Sequence, residues 1–275
     1  MATRYWVGGS GTWDTSDTTH WSTSSGGASG ASAPTSSDDV VFDNSSIAAP
    51  GSITATVTTG NCLSLTTSAM TAPRDVSIYG NTTGVLNIYG SFTGGTRSNF
   101  ANIGVNFKST SSGNTITSGG SGQYQNARVT FDGVGGEWTL QDTYDAGSIG
   151  GYISIVNGNL ISGANTLEFQ ATLPSPSFYM TAGAILTLTS GTLNLRATNT
   201  TIAGTSGNPI VITGGTINSS SGSLSVSYVT LTGNTAAGGS IPFTDTNGTD
   251  GGSNTNWNFA TSAVQVGGSF LLNFV

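Results

Sequence analysis

From about residue 52 to 232 the chain is a series of short stretches in which apolar and polar residues alternate, each closed by Gly, Asn or Ser. Val85-Leu86-Asn87-Ile88-Tyr89-Gly90, Arg128-Val129-Thr130-Phe131-Asp132-Gly133, Glu137-Trp138-Thr139-Leu140-Gln141, Ile185-Leu186-Thr187-Leu188-Thr189 and Pro209-Ile210-Val211-Ile212-Thr213 all follow the pattern. A period of two gathers the apolar side chains on one face of an extended strand, whereas a helix needs them three and four apart. The 41 Gly among many Ser, Thr and Asn point the same way, because Gly and β-branched Thr are poor helix formers. The chain therefore reads as all-β, with far-UV circular dichroism expected to show almost no helix.

Low charge does not make it disordered. Only 7% of residues are charged, against roughly 25% in ordinary domains. Disordered chains pair few apolar residues with high charge, whereas this one is 35% hydrophobic. Its surface must be built from hydroxyls and amides.

Turn signals every 8 to 12 residues fit a β-sandwich or a coiled solenoid. A degenerate element at Asn157-Gly158-Asn159-Leu160-Ile161, Gly191-Thr192-Leu193-Asn194-Leu195 and Gly215-Thr216-Ile217-Asn218 favours the solenoid, a right-handed parallel β-helix with aromatic-rich caps. Rungs of roughly 20 to 30 residues, about 7 of them, would make a stem about 35 Å tall. The expected organisation is an aromatic-rich cap or anchoring module at 1–50, the solenoid at 51–232 and a C-terminal cap at 233–275. Tyr5, Trp6, Trp13 and Trp21 offer large rigid apolar area, the pattern of an interface. They are the residues expected to carry attachment or self-association. Trp257 and Phe259, with Trp6 and Trp13 at the other end, are expected to cover the exposed strand edges.

Charge and cysteine content remove several function classes. The net charge is −7, and the bases at Arg4, Arg74, Arg97, Lys108, Arg128 and Arg196 are scattered. A nucleic-acid groove needs them clustered, so no nucleic-acid partner is expected. The single cysteine, Cys62, permits no intrachain disulfide or cysteine metal cluster and reads as a small buried hydrophobe. The start, Met1 to Trp6, carries no apolar signal-peptide core, and Phe270 to Val275 is too short to span a bilayer. Synthesis in a cytoplasm without a signal peptide, and no membrane partner, are the expectation.

Candidate chemistry is thin. A glycosidase needs two carboxylates facing across a cleft. With Glu137 and Glu168 the only glutamates, Asp132, Glu137 and Asp142 form the nearest cluster, Asp145 being another neighbour. They read as turn acids, so Glu137→Gln or Asp142→Asn should leave function intact. His20 is the one histidine available to a Ser/His/Asp site and reads as a packing residue beside Trp21. The run from Asp245 to Gly252 resembles a calcium loop only superficially: positions six and twelve hold Asp250 and Asn256, where an EF-hand has Gly and Glu. Asp38-Asp39 with Asp43 is a second weak cation candidate. No catalytic residue, metal site or cofactor is assigned. Tyr79, Tyr89, Tyr124, Tyr144, Tyr152 and Tyr179 could stack on sugars if several face outward.

Arg4-Tyr5-Trp6-Val7-Gly8-Gly9 through Trp13-Asp14 and Trp21-Ser22, then Pro34-Thr35-Ser36-Ser37-Asp38-Asp39-Val40-Val41-Phe42-Asp43, resembles a module of structural proteins of tailed bacteriophages and prophages. Leu86 to Phe92, Phe131 to Asp142, and the ending from Tyr228-Val229-Thr230-Leu231 to Asn256-Trp257-Asn258-Phe259 are similar to the same kind of chain. The resemblance implies a virion surface protein, a capsid decoration or fibre, with other capsid or tail proteins as partners and a homotrimer as the common state. It transfers no catalytic residue. The rival readings are a tail fibre or spike that binds host-surface glycan and a polysaccharide depolymerase.

Overall fold

The computed structural model describes residues 1–120, 124–125, 127–145, 152–169, 178–195, 199–220 and 223–261. It is all-β, with 58% strand and 1% helix, and a large, mostly parallel sheet. The helical share is one 3-10 turn, Asn44–Ser46, capped by the Asp43 carboxylate.

Strands follow one another around three ladders. Gly51–Val57, Thr59–Cys62 and Leu65–Ala69 each lie on a different ladder, and Arg74–Tyr79, Val85–Ile88 and Phe92–Thr93 return to the same three in the same order. Each of these strands therefore pairs in parallel with one three strands further along the chain. The ladder that starts at Thr3–Trp6 continues through Asp39–Asp43, Leu65–Ala69, Phe92–Thr93 and Asn114–Thr117. It runs on through parts of Arg128–Leu140, Tyr152–Ile161, Ile185–Leu195 and Ile210–Ser219 to Val229–Thr232 and Thr249–Asp250. Parallel neighbours need such a long connection, since no hairpin can join them. Among the described strands one pair is antiparallel, Thr3–Trp6 with Trp21–Ser22. The sandwich alternative required antiparallel sheets, and the pairing is the opposite.

One expectation changes in detail. The recurrent Gly-Thr-Leu element is only partly a repeat in space. Thr192, Leu193 and Asn194 do pair with Thr216, Ile217 and Asn218. Asn159 and Leu160, however, pair with Ile185 and Leu186, so the first copy sits on another ladder. Similar turn chemistry at two corners produced the likeness. The pairing also crosses residues 50 and 232 without a break, because the first ladder enters at Thr3 and leaves at Asp250.

Alternation holds along every long strand, with Val129, Phe131, Trp138 and Leu140 buried on Arg128–Leu140 and Thr130, Asp132, Glu137 and Thr139 facing out. The inward residues form one hydrophobic core from Trp6 to Leu231. Phe107 stacks on Phe131, ring centroids 4.9 Å apart, and Trp138 meets Phe131 edge-on at 5.3 Å. Glycine makes that corner possible. Gly158 has φ +84°, and a Cβ there would run into the backbone oxygens of Gly133 and Gly136 and the Trp138 ring.

Candidate functional site

The indoles expected to form an interface lie inside the protein. Trp6, Trp13 and Trp21 are each 0% exposed. Trp6 is sandwiched between His20, 4.9 Å away, and Phe42, 5.3 Å away, while Trp21 meets it edge-on at 5.1 Å. Trp13 packs on Trp21 and lies against Gly60, where a Cβ would press on its ring. The three rings are closed to a partner in this fold, while Tyr5 stays half-buried. The reason is local: Trp6 is the inward residue of its strand, Trp21 is brought beside it by the antiparallel pairing of Trp21–Ser22 with Thr3–Trp6, and Trp13 packs on Trp21. His20 is a clamp within this cluster, its Nδ1 2.9 Å from Asp17 Oδ2. At the other end Trp257 packs edge-on against Phe243 and donates from Nε1 to Asn234 Oδ1 at 3.0 Å. Phe270 to Val275, and Arg196, lie outside the described residues.

The candidate acids do not converge. Asp132 accepts a hydrogen bond from Asn157 Nδ2 at 2.7 Å and lies 3.5 Å from Lys108 Nζ. Glu137 meets Asn159 at 3.4 Å, and Glu168 accepts from Asn194 at 2.7 Å. Asp142 accepts the backbone N–H groups of Ser118 and Gly119 at 2.7 and 3.0 Å. Asp145 is buried. Each acid works within its own stretch of ladder.

Nor do the cation candidates assemble. Asp245 is buried, while exposed Asp250 uses Oδ1 to hold the Gly252 N–H and the Asn254 amide. Asp38 accepts from Thr35 Oγ1, Thr35 N and Ala2 N. Burial pulls its carboxyl up, but these hydrogen bonds outweigh it and hold it below the ordinary value. Asp39 takes Ser64 Oγ and Asp43 caps the 3-10 turn. Among the described residues no three His, Cys, Asp or Glu are grouped to hold a metal ion. Cys62 is buried, and burial drives its thiol far above the ordinary range, which suppresses its reactivity.

What the fold does assemble is an outward polar column, a stacked ladder of the kind that the hydroxyl- and amide-rich strand faces lead one to expect, at residues the sequence alone does not name. Asn61, Asn87, Asn106, Thr130, Ser154 and Tyr179 follow one another in register. Asn106 donates to Asn87 and Asn87 to Asn61, both at 3.1 Å. An amide offers two donors and two acceptor sites, so each ladder member keeps capacity for solvent or a ligand. Beside the column stands Tyr152, edge-to-face with Tyr179 at 5.7 Å, and Tyr179 is 37% exposed. Lys108, Asp132 and Asn157 line its other flank. Of the remaining tyrosines Tyr144 is buried, Tyr79 and Tyr89 are half-buried, and the Tyr124 side chain lies outside the described residues. The signal available in sequence was Asn or Thr at the outward position of successive bursts; it became visible only once the register was known.

No helix among the described residues is long and apolar enough to cross a membrane. Comparison with family models, with curated proteins and with solved structures found no match to this chain.

Proposed function

We propose that the chain is a non-enzymatic structural element of a virion surface, a capsid decoration or fibre protein, folded as a right-handed parallel β-helix. One observation carries this reading: the unbroken parallel ladder from Thr3–Trp6 to Thr249–Asp250. Strands about 4.8 Å apart over roughly ten steps make a rod about 48 Å tall. An amide ladder of Asn61, Asn87 and Asn106, and a carboxylate–amide ladder of Glu168, Asn194 and Asn218, brace it from outside. Such a rod is stiff without charge networks and holds whatever stands at its ends at a fixed distance. The likeness of the opening and middle segments to tailed-phage structural proteins supplies the virion setting, and with it the capsid or tail partners and self-association. The test is to label the protein on intact particles. Copies that stay attached through high-salt washing support the reading, and absence from purified particles overturns it.

A second reading, a fibre that binds host-surface glycan, is favoured by Tyr152 and Tyr179 beside the amide column, since an aromatic face with flanking amides suits a sugar ring. Saturable glycan binding that Tyr179→Ala weakens at least tenfold would support it.

A further inference from the structure

Asp245 faces inward with Phe243 on Phe243–Thr246 and is 0% exposed. Its register neighbours are Val226 on one side and Phe259 on the other, both apolar. Gly248 folds back so tightly over the carboxyl that a Cβ at that position would collide with Oδ2. Neither carboxyl oxygen has a hydrogen-bond partner of full geometry among the described residues, the Val229 backbone N–H lending only a weak pull. The strands around it, Ser223–Ser227, Trp257–Ala260 and Val229–Thr232, carry no charged residue. The ionisable groups closest along the chain are Tyr228 and Asp250, the latter exposed and engaged with Gly252 and Asn254. Among the described residues no charged group faces Asp245, and the Val229 N–H compensates only part of a negative charge there. A buried carboxylate with no counter-charge and only one weak donor is costly, and taking up a proton removes most of that cost.

We propose that Asp245 is a proton-operated latch: protonated, it lets the last turns of the coil close over it, and ionised, it loosens the segment from Ser223 to Ala260. Burial pushes its carboxyl up to about 6 from the ordinary 3.8, the pull of the Val229 N–H offsetting only part of this. The folded value lies above the unfolded one, so the stabilisation is complete below about pH 4. It declines between about pH 4 and 6 and is gone above that. Mild acid tightens this end of the protein and neutral pH relaxes it. The proposal stands whatever the protein displays or binds.

The test is amide hydrogen exchange of the whole protein at pH 5 and pH 8, corrected for the intrinsic pH dependence of exchange. Wild type should exchange faster at pH 8 across 223–261, by tens of fold and at most about a hundredfold, the limit set by two pKa units at tenfold each. In Asp245→Asn, which is neutral at both values, the difference should vanish; a difference that persists overturns the proposal. Asp250→Asn should respond as wild type does, and loss of the response there would place the sensor on the surface and overturn it too. Should Asp245→Asn not fold, a carbon-13 titration of the wild-type carboxyl decides: titration near 6 supports the latch and titration at or below 4 sinks it.

Discussion

At the scale of single residues, the fold depends on places where a side chain is absent or is tied to the next turn. Gly158, with φ +84° and backbone oxygens where its Cβ would be, should not tolerate alanine. Gly158→Ala is expected to cost about 3 kcal/mol, the sum of a left-handed backbone penalty and overpacking. Gly163→Ala, at φ +63° with open space around it, should cost only about 1 kcal/mol, and thermal unfolding of the pair checks the difference. Asn87 both accepts from Asn106 and donates to Asn61. Asn87→Leu should therefore lose about 1–2 kcal/mol, the net value of two hydrogen bonds. Asp38 acts opposite in sign to Asp245. Its folded carboxyl titrates below the ordinary value, so its contribution is present above about pH 4 and fades as pH falls through the lower folded value. In acid titrations monitored by hydrogen exchange, the contacts of Asp38 with Ala2 and Thr35 should loosen as pH falls below about 4, where Asp245 is protonated. Asp38→Asn should flatten that response.

At the scale of elements, the N-terminal segment is a plug, and its tryptophans answer to packing. Trp13→Ala empties a site bounded by Trp21, Phe42 and Gly60 and is expected to cost about 3–5 kcal/mol, as large aromatic truncations in cores do. Tyr5→Ala should cost far less, the ring being only half-buried. If attachment to particles involves this end, Tyr5→Ala reduces it while the melting temperature holds, whereas Trp13→Ala lowers both. The strands themselves were legible in the sequence, because alternation in Arg128–Leu140 or Ile185–Leu195 names the buried face residue by residue. The pairing was not. Which strand lies beside Asn159 depends on the length of every connection between Asn159 and Ile185, and local composition does not encode that sum. The cluster of three tryptophans announced a compact module but not its sidedness: Trp21 becomes interior only when its strand pairs antiparallel with Thr3–Trp6, and Trp13 only when it packs on Trp21 and Phe42. Asp245 was legible as an acid in a turn-rich run, and its burial followed only from the register with Val226 and Phe259.

At the scale of the whole molecule, each strand pairs chiefly with the strands before and after it on its ladder, so under the proposed β-helix reading stability is a sum of neighbour terms and need not be lost all at once. Unfolding should begin at the ends and spare the middle, where Phe107, Phe131 and Trp138 interlock. Exchange that is slowest at Val105, Val129 and Ile153 and fastest near Asp39 and Thr249 would bear this out; uniform exchange along the chain would contradict it. The spacing of the turns has a consequence for how such a chain changes over generations. Asn194 and Asn218 stand 24 residues apart on neighbouring turns, while Asn87 and Asn106 stand 19 apart. The corners absorb the difference and the faces stay in step. A gene that gains or loses one whole turn between two corners keeps every inward residue inward and changes the protein's height by about 4.8 Å. A gain of a single codon within a strand turns the rest of that strand inside out. Selection can therefore lengthen or shorten this protein in whole storeys, and inherited variation in its length should cluster at the corners and leave the walls untouched.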